Sequence, residues 1–178
     1  MQLAPLCALL LTHSFGLQAS ADSVPKENVS ARRFVQAFYD WYTPKTLNDH
    51  DGPASDLALK LKSSAFSPSL LLALREDSAA QAKSKDEIVG LDFDPFLASQ
   101  DPDPRYLVGK TERKGGSYYV SVHSFRFGKR SAKPDVIAKL EKYHGAWRFT
   151  NFIYPDGGNL VGTLLMLKQE RLLPPSVY

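Results

Sequence analysis

Reactive side chains are sparse in this 178-residue chain, and the densest group of them is acidic. The segment Leu91-Asp92-Phe93-Asp94-Pro95-Phe96-Leu97-Ala98-Ser99-Gln100-Asp101-Pro102-Asp103-Pro104 carries four carboxylates. Such a run suggests a cation site or an acid/base pair. The calcium loop of an EF-hand, however, needs glycine at its sixth position and an oxygen donor at its fifth. Counted from Asp92, those positions hold Leu97 and Phe96. Asp-Pro pairs suit turns, in which aspartate side chains accept bonds from nearby backbone. The segment is therefore expected to be structural and to hold no metal, with a metal site or an acid/base role for Asp94 or Asp101 as the alternative.

One histidine falls on a predicted strand. Period-two alternation puts Tyr119, Ser121, His123, Phe125 and Phe127 on one face, and Tyr118, Val120, Val122, Ser124 and Arg126 on the other. If the first face lines a pocket, His123 could act as a general base near neutral pH. No carboxylate is placed beside it by sequence, so a packing role is the default. His50 falls in a polar loop and His144 in a hairpin turn. In the early helix, Phe38, Trp41 and Tyr42 continue an apolar stripe, whereas Tyr39 and Asp40 lie off it; Tyr39 is thus expected at a surface or pocket. The closing strand divides as Trp147, Phe149, Asn151, Ile153 against Arg148, Thr150, Phe152, Tyr154. Asn151 on the apolar side must find a partner or a ligand, because an unpaired buried amide costs about 1–3 kcal/mol.

Familiar motifs are excluded on spacing. Gly109-Lys110-Thr111 ends like a P-loop, but Pro104 stands where the first glycine belongs and no helix follows. Asn28-Val29-Ser30 matches a glycosylation acceptor and is better used as a helix cap. There is no G-x-S-x-G, H-E-x-x-H or C-x-x-C. No cofactor is called for.

The elements that must position these residues follow from periodicity and punctuation. A first helix is expected from a cap at Asn28 or Ser30 to about Thr43, stopped by Pro44, with a loop over Lys45 to Pro53. Shorter helices should span Ala54 to Lys62 and, capped by Ser67 with Pro68 in first place, Pro68 to about Ala82. Strands are expected over Arg105 to Arg113 and Tyr118 to Phe127 around a Gly115-Gly116 turn. A second pair should cover Asp135 to Tyr143 and Trp147 to Tyr154 around His144-Gly145. Asn159 should cap a last helix through about Leu172, before an unstructured Pro174-Pro175 tail. Helices followed by a meander predict an α+β domain: N-terminal helices on one face of an antiparallel sheet, then a C-terminal helix.

The chain's beginning predicts export. Residues 1–21 contain no Asp, Glu, Lys or Arg, and Leu3 to Leu11 is an apolar stretch too short to span a bilayer. Ala19-Ser20-Ala21 supplies the small residues for cleavage before Asp22. The n-region lacks a basic residue. Cys7 would be lost with the signal, and with only six residues before it and Leu6 beside it, it is not read as a lipid anchor. The expected organisation is a signal peptide over 1–21 and one α+β domain over 22–178, without cysteine, in the periplasm or secreted. A net charge of +3 with interspersed signs argues against nucleic acid.

Three segments together carry a resemblance: F-Y-D-W-Y at Phe38 to Tyr42, D-x-D-P-F-x-x-S-Q-D at Asp92 to Asp101, and W-x-F-x-N-F-x-Y at Trp147 to Tyr154. The chain resembles, over nearly all of its mature part, a family of exported bacterial domains of unknown function, number 3828. That family is grouped with the nuclear-transport-factor-two-like superfamily, whose curved sheet wraps a long helix into a cone with a pocket. The resemblance implies a cone-like fold and leaves activity open. The expected function is a non-catalytic binding module for a small ligand or an envelope protein, with homodimerisation left open. Candidate contacts are Tyr39 from the helix, Asp94, Gln100 and Asp101 from the acidic segment, Tyr119 and His123 from the long strand, and Asn151 and Tyr154 from the closing strand. The alternatives are a dehydratase or isomerase pairing His123 with Asp94 or Asp101, and an immunity-type inhibitor of a secreted toxin.

Overall fold

The structure is a computed structural model that describes residues 23–48, 52–84 and 86–173. The expected signal peptide, His50 and the Pro174-Pro175 tail lie outside the described residues.

Helix α1 runs from Ser23 to Thr46. Its buried stripe is Ala31, Val35, Phe38, Tyr39 and Tyr42, at the three- and four-residue steps that stack side chains on one helical face. It is longer than expected at both ends. Pro25 sits in the first turn, where a missing N–H loses no intrahelical bond. Ser30 is not a cap, and its hydroxyl accepts from Trp147 Nε1 at 2.9 Å. Pro44 does not stop the helix either: so near the end it removes only the bond to the carbonyl of exposed Asp40. The last turn closes with Thr46 Oγ1 donating to Thr43 O at 2.9 Å.

Helix α2 covers Ala54–Leu61 and α3 covers Pro68–Lys83, with a single 3-10 turn at Ser63–Ala65 between them. Ser67 caps α3 by accepting from Leu70 N at 3.3 Å, with Pro68 in the first turn, as the sequence predicts. The sheet is antiparallel: β1 Tyr106–Lys114, β2 Ser117–Arg126, β3 Lys129–Arg130, β4 Val136–Tyr143 and β5 Ala146–Ile153. Its order is β1-β2-β4-β5, and the short β3 pairs with the end of β2. Phe127, expected at the end of the long strand, instead forms the β2–β3 turn with Gly128, both at positive φ. Helix α4, Leu160–Glu170, starts where Asn159 accepts from Gly162 N at 3.0 Å. The α+β architecture is thus as expected, with α1 on β1 and β2, and α4 against α3 and β5.

The inner sheet face presents Tyr118, Val120, Val122, Val136, Ala138 and Leu140, all buried. Phe38 is the hub above it, 4.8 Å from the Phe149 ring and stacked on Tyr42 at 5.3 Å. Phe66, Phe96 and Phe152 complete an aromatic core that fills the space between helices and sheet, where a cone would keep its pocket.

Two bulges reassign side chains. In β5, Asn151 pairs with Lys139 but Phe149 pairs with Leu140, so Thr150 is an extra residue. The expected division of this strand therefore fails after Phe149: Phe152 and Tyr154 turn inward and are buried, while Asn151 and Ile153 turn outward. In β1 the register shifts between Val108 and Thr111, setting Gly109 and Lys110 against Ser121. The free edge of β1 is met by α1, since Val108 N donates to Gln36 Oε1 at 2.9 Å and Gln36 Nε2 donates to Tyr106 O at 3.1 Å.

Candidate functional site

The outward face of β2, turned away from the helices, carries Tyr119, Ser121 and His123. Two of these are buried all the same, His123 to 6% exposure and Ser121 to 9%. The cause is the connection from β3 to β4, which folds back over the sheet. Asp135 fastens it: its Oδ2 accepts from Ser124 N at 2.6 Å and from Ser131 Oγ at 2.7 Å, while its own N–H donates to Val122 O at 2.9 Å. This places the Ser131 carbonyl 3.0 Å from His123 Nδ1. A carbonyl only accepts, so Nδ1 carries a hydrogen there. The other ring nitrogen, Nε2, faces Ser121 Oγ at 3.3 Å, and that hydroxyl also lies 3.2 Å from Lys110 O.

Gly109, beside this pair, has room for a side chain only if its neighbours shift. A Cβ on it would stand 2.4 Å from Arg130 Nη2, 2.4 Å from Ser121 Oγ and 2.8 Å from His123 Nε2. Three polar groups from β2 and β3 therefore converge over a bare stretch of β1 backbone. The position needs no positive φ, so the constraint is space alone.

Above this floor lies a groove of about 480 Å³, within the roughly 300–1,000 Å³ range of small-molecule sites. Tyr119, Pro134, Ile137 and Ile153 give it apolar walls, and Lys110, Lys114, Arg130 and Glu112 give it charge. Glu112 is bound by Lys110 at 2.5 Å and Lys114 at 3.0 Å, and these ammoniums hold its carboxyl down to about 2. Lys114 also sits 5.6 Å over the Tyr119 ring. Arg130 has no ion-pair partner among the described residues. The groove has three cations against one carboxylate, apolar walls and a hydroxyl–imidazole floor. It is equipped to hold an anion with an apolar body.

The acidic segment is built differently. Asp94 Oδ1 accepts from Phe96 N at 2.9 Å and Leu97 N at 3.0 Å, and Oδ2 accepts from Tyr42 OH at 2.6 Å. Part of the residue reaches a second groove between α2, α3 and the acidic segment. Its carboxyl, however, is withdrawn from water, which pushes it up to about 6 against the opposing pull of these three bonds. Tyr39, expected at a surface, is 1% exposed and donates to Phe96 O at 2.7 Å; Tyr154 donates to Pro95 O at 3.1 Å. Burial raises both phenols well above their ordinary value. Three tyrosines thus tie the turn at Asp94 to the core, and none is open to a ligand.

The remaining candidates are also engaged. Gln100 donates to Asp92 O at 3.0 Å. Asp101 is exposed and lies 3.8 Å from Arg126, which also pairs with Asp103. Asn151 accepts from Phe152 N at 2.9 Å and Val161 N at 3.1 Å and donates to Asn159 Oδ1 at 2.9 Å, so its partner is the start of α4. Of the eight expected contacts, only Tyr119 and His123 share the outer groove. Neither Asp94 nor Asp101 lines it, and the His123–aspartate pair expected for a dehydratase or isomerase does not form. Among the described residues, no three His, Cys, Asp or Glu side chains gather as metal ligands would. Sequence reasoning missed Arg130 and Ile153. One sits on a two-residue strand with no periodicity, and the other is turned outward by a bulge that periodicity cannot see.

No family model, curated protein or solved structure matches the chain.

Proposed function

We propose that this protein is an exported, non-catalytic binding module that holds a small ligand in the groove on its outer sheet face. The observation that carries the reading is the groove itself, walled by Ile137, Ile153 and Pro134 and floored by a histidine whose two nitrogens are already engaged. A histidine held by a backbone carbonyl and a serine, with no carboxylate beside it, is oriented for recognition more than for proton abstraction from a substrate. The reading includes kinship with the exported family that the three sequence segments suggest, and supports it with the α+β architecture. It uses the sheet face, since the interior of the expected cone is packed.

The test is a blocking substitution. Ile137→Arg projects a long cation into the groove from the outward side of β4 and leaves the core untouched. Native mass spectrometry of protein purified after expression of the full chain should show a small molecule retained by the wild type and lost in Ile137→Arg. The two melting temperatures should agree within a few degrees, as is usual for changes away from the core. Retention by both proteins would sink the reading. Turnover of the retained molecule that His123→Gln abolishes at unchanged melting temperature would replace it with the enzyme.

A further inference from the structure

We infer that the ligand of the outer groove is a monocarboxylate with an apolar tail, its carboxylate on Arg130 and its tail across Ile137 and Ile153. This rests on the groove being the binding site. Arg130 is the one groove cation not bound to Glu112. Its Nη2 stands over Gly109, where a methyl group would meet it at 2.4 Å. A guanidinium offers paired N–H donors that match the two oxygens of a carboxylate, and such charge-assisted pairs are about twice as strong as neutral ones. Ser121 Oγ and His123 Nε2 crowd the same position, at 2.4 and 2.8 Å, but the hydroxyl donates to Lys110 O and Nε2 presents a lone pair, so the guanidinium is the donor left for a carboxylate. Beyond them the walls are apolar, and a hydrocarbon tail there would displace water from Ile137, Ile153 and Pro134. Glu112 bounds the site: tied to both lysines, it leaves Arg130 as the groove cation free to meet one carboxylate head.

The experiment uses hexanoate, octanoate and decanoate as probes, with octanol and octylamine as their uncharged and cationic counterparts, titrated calorimetrically into the purified protein. Octanoate should bind about tenfold or more tighter than octanol, the scale of one charge-assisted bond, and octylamine should bind weakest. Arg130→Gln should reduce octanoate affinity about tenfold or more and leave octanol unchanged. Arg130→Lys should recover part of the loss. Gly109→Ala, which needs Arg130, Ser121 and His123 to shift, should weaken octanoate while the melting temperature reports that the chain is folded. Equal affinity for octanoate and octanol, unmoved by Arg130→Gln, would overturn the carboxylate and leave the groove a binding site. No binding of any probe would overturn both. Concentration-dependent dimerisation abolished by Ile137→Arg would assign the face to a second copy of the chain and overturn the inference.

Discussion

Asp94 shows how one side chain can look chemical in sequence and be architectural in the fold. Its carboxyl holds its proton more tightly than usual because burial penalises the charge, and the folded value of about 6 lies above the ordinary value in the unfolded chain. Between those values the native state binds more protons, so stability contributed by this group is full below about pH 4 and lost as pH rises through about 6. Urea denaturation from pH 4 to 7 should show this fall, on the order of 1–3 kcal/mol from this residue. Asp94→Asn should flatten it, since the amide can accept from Phe96 and Leu97 and donate to Tyr42 without a charge. Asp94→Ala, measured at pH 5, should destabilise by roughly 2–4 kcal/mol by stranding those donors. A wild type whose stability rises across this range while Asp94→Asn matches it would show that the carboxyl is well solvated. That Asp94 would turn the backbone after it was legible from its Asp-Pro pair. That Asp94 is the segment's anchor was not, because Tyr42 and Tyr39 approach from α1, far away in sequence.

Among elements, the attachment of α4 to α3 is the most exposed to a single change. Asp77, 4% exposed in α3, accepts from Leu91 N at 2.9 Å and from Arg171 Nη1 at 2.6 Å, just beyond the end of α4. Arg171 also donates to Val89 O at 2.8 Å, so one ion pair fixes two helices and the chain entering the acidic segment. Removing one partner of a buried pair leaves an uncompensated charge, and Arg171→Leu should cost about 3–5 kcal/mol. The double variant Arg171→Leu with Asp77→Leu should recover part of that loss, and a double-mutant cycle in denaturant measures the coupling. Additive losses would mean that the pair is not coupled. The elements themselves were largely readable: Ser67-Pro68, Asn159 and the glycine turns mark their ends by local chemistry. What local chemistry could not mark is the passage of α1 through Pro44, which depends on how close the helix end lies, and the Thr150 bulge, which is a property of pairing with β4. The outer groove was half legible, through the alternation that puts Tyr119, Ser121 and His123 together. Its unpaired cation among the described residues, Arg130, arrives on the short β3.

For the whole molecule, the proposal of export predicts a defined product. Protein recovered from the periplasm or medium should have the intact mass of a chain beginning at Asp22, because Ala19 and Ala21 suit the cleavage site. Full-length protein confined to the cytoplasm would remove export from the proposed function. A domain that crosses a membrane unfolded must then fold beside many other chains, where an open sheet edge is a hazard. Gln36 bears on that hazard. By taking both the Val108 N–H and the Tyr106 carbonyl, its amide occupies the position of a neighbouring strand, and below it the edge of β1 bristles with Lys110, Glu112, Arg113 and Lys114. At the opposite edge the Ser67 N–H takes the Phe149 carbonyl and Asn159 bridges to Ile153. An extended peptide seeking to lengthen this sheet thus meets covered or charged backbone on both sides. Encounters with other molecules are left to side chains and surface shape, and the fibril-forming route of strand-on-strand growth is obstructed by a glutamine from a helix.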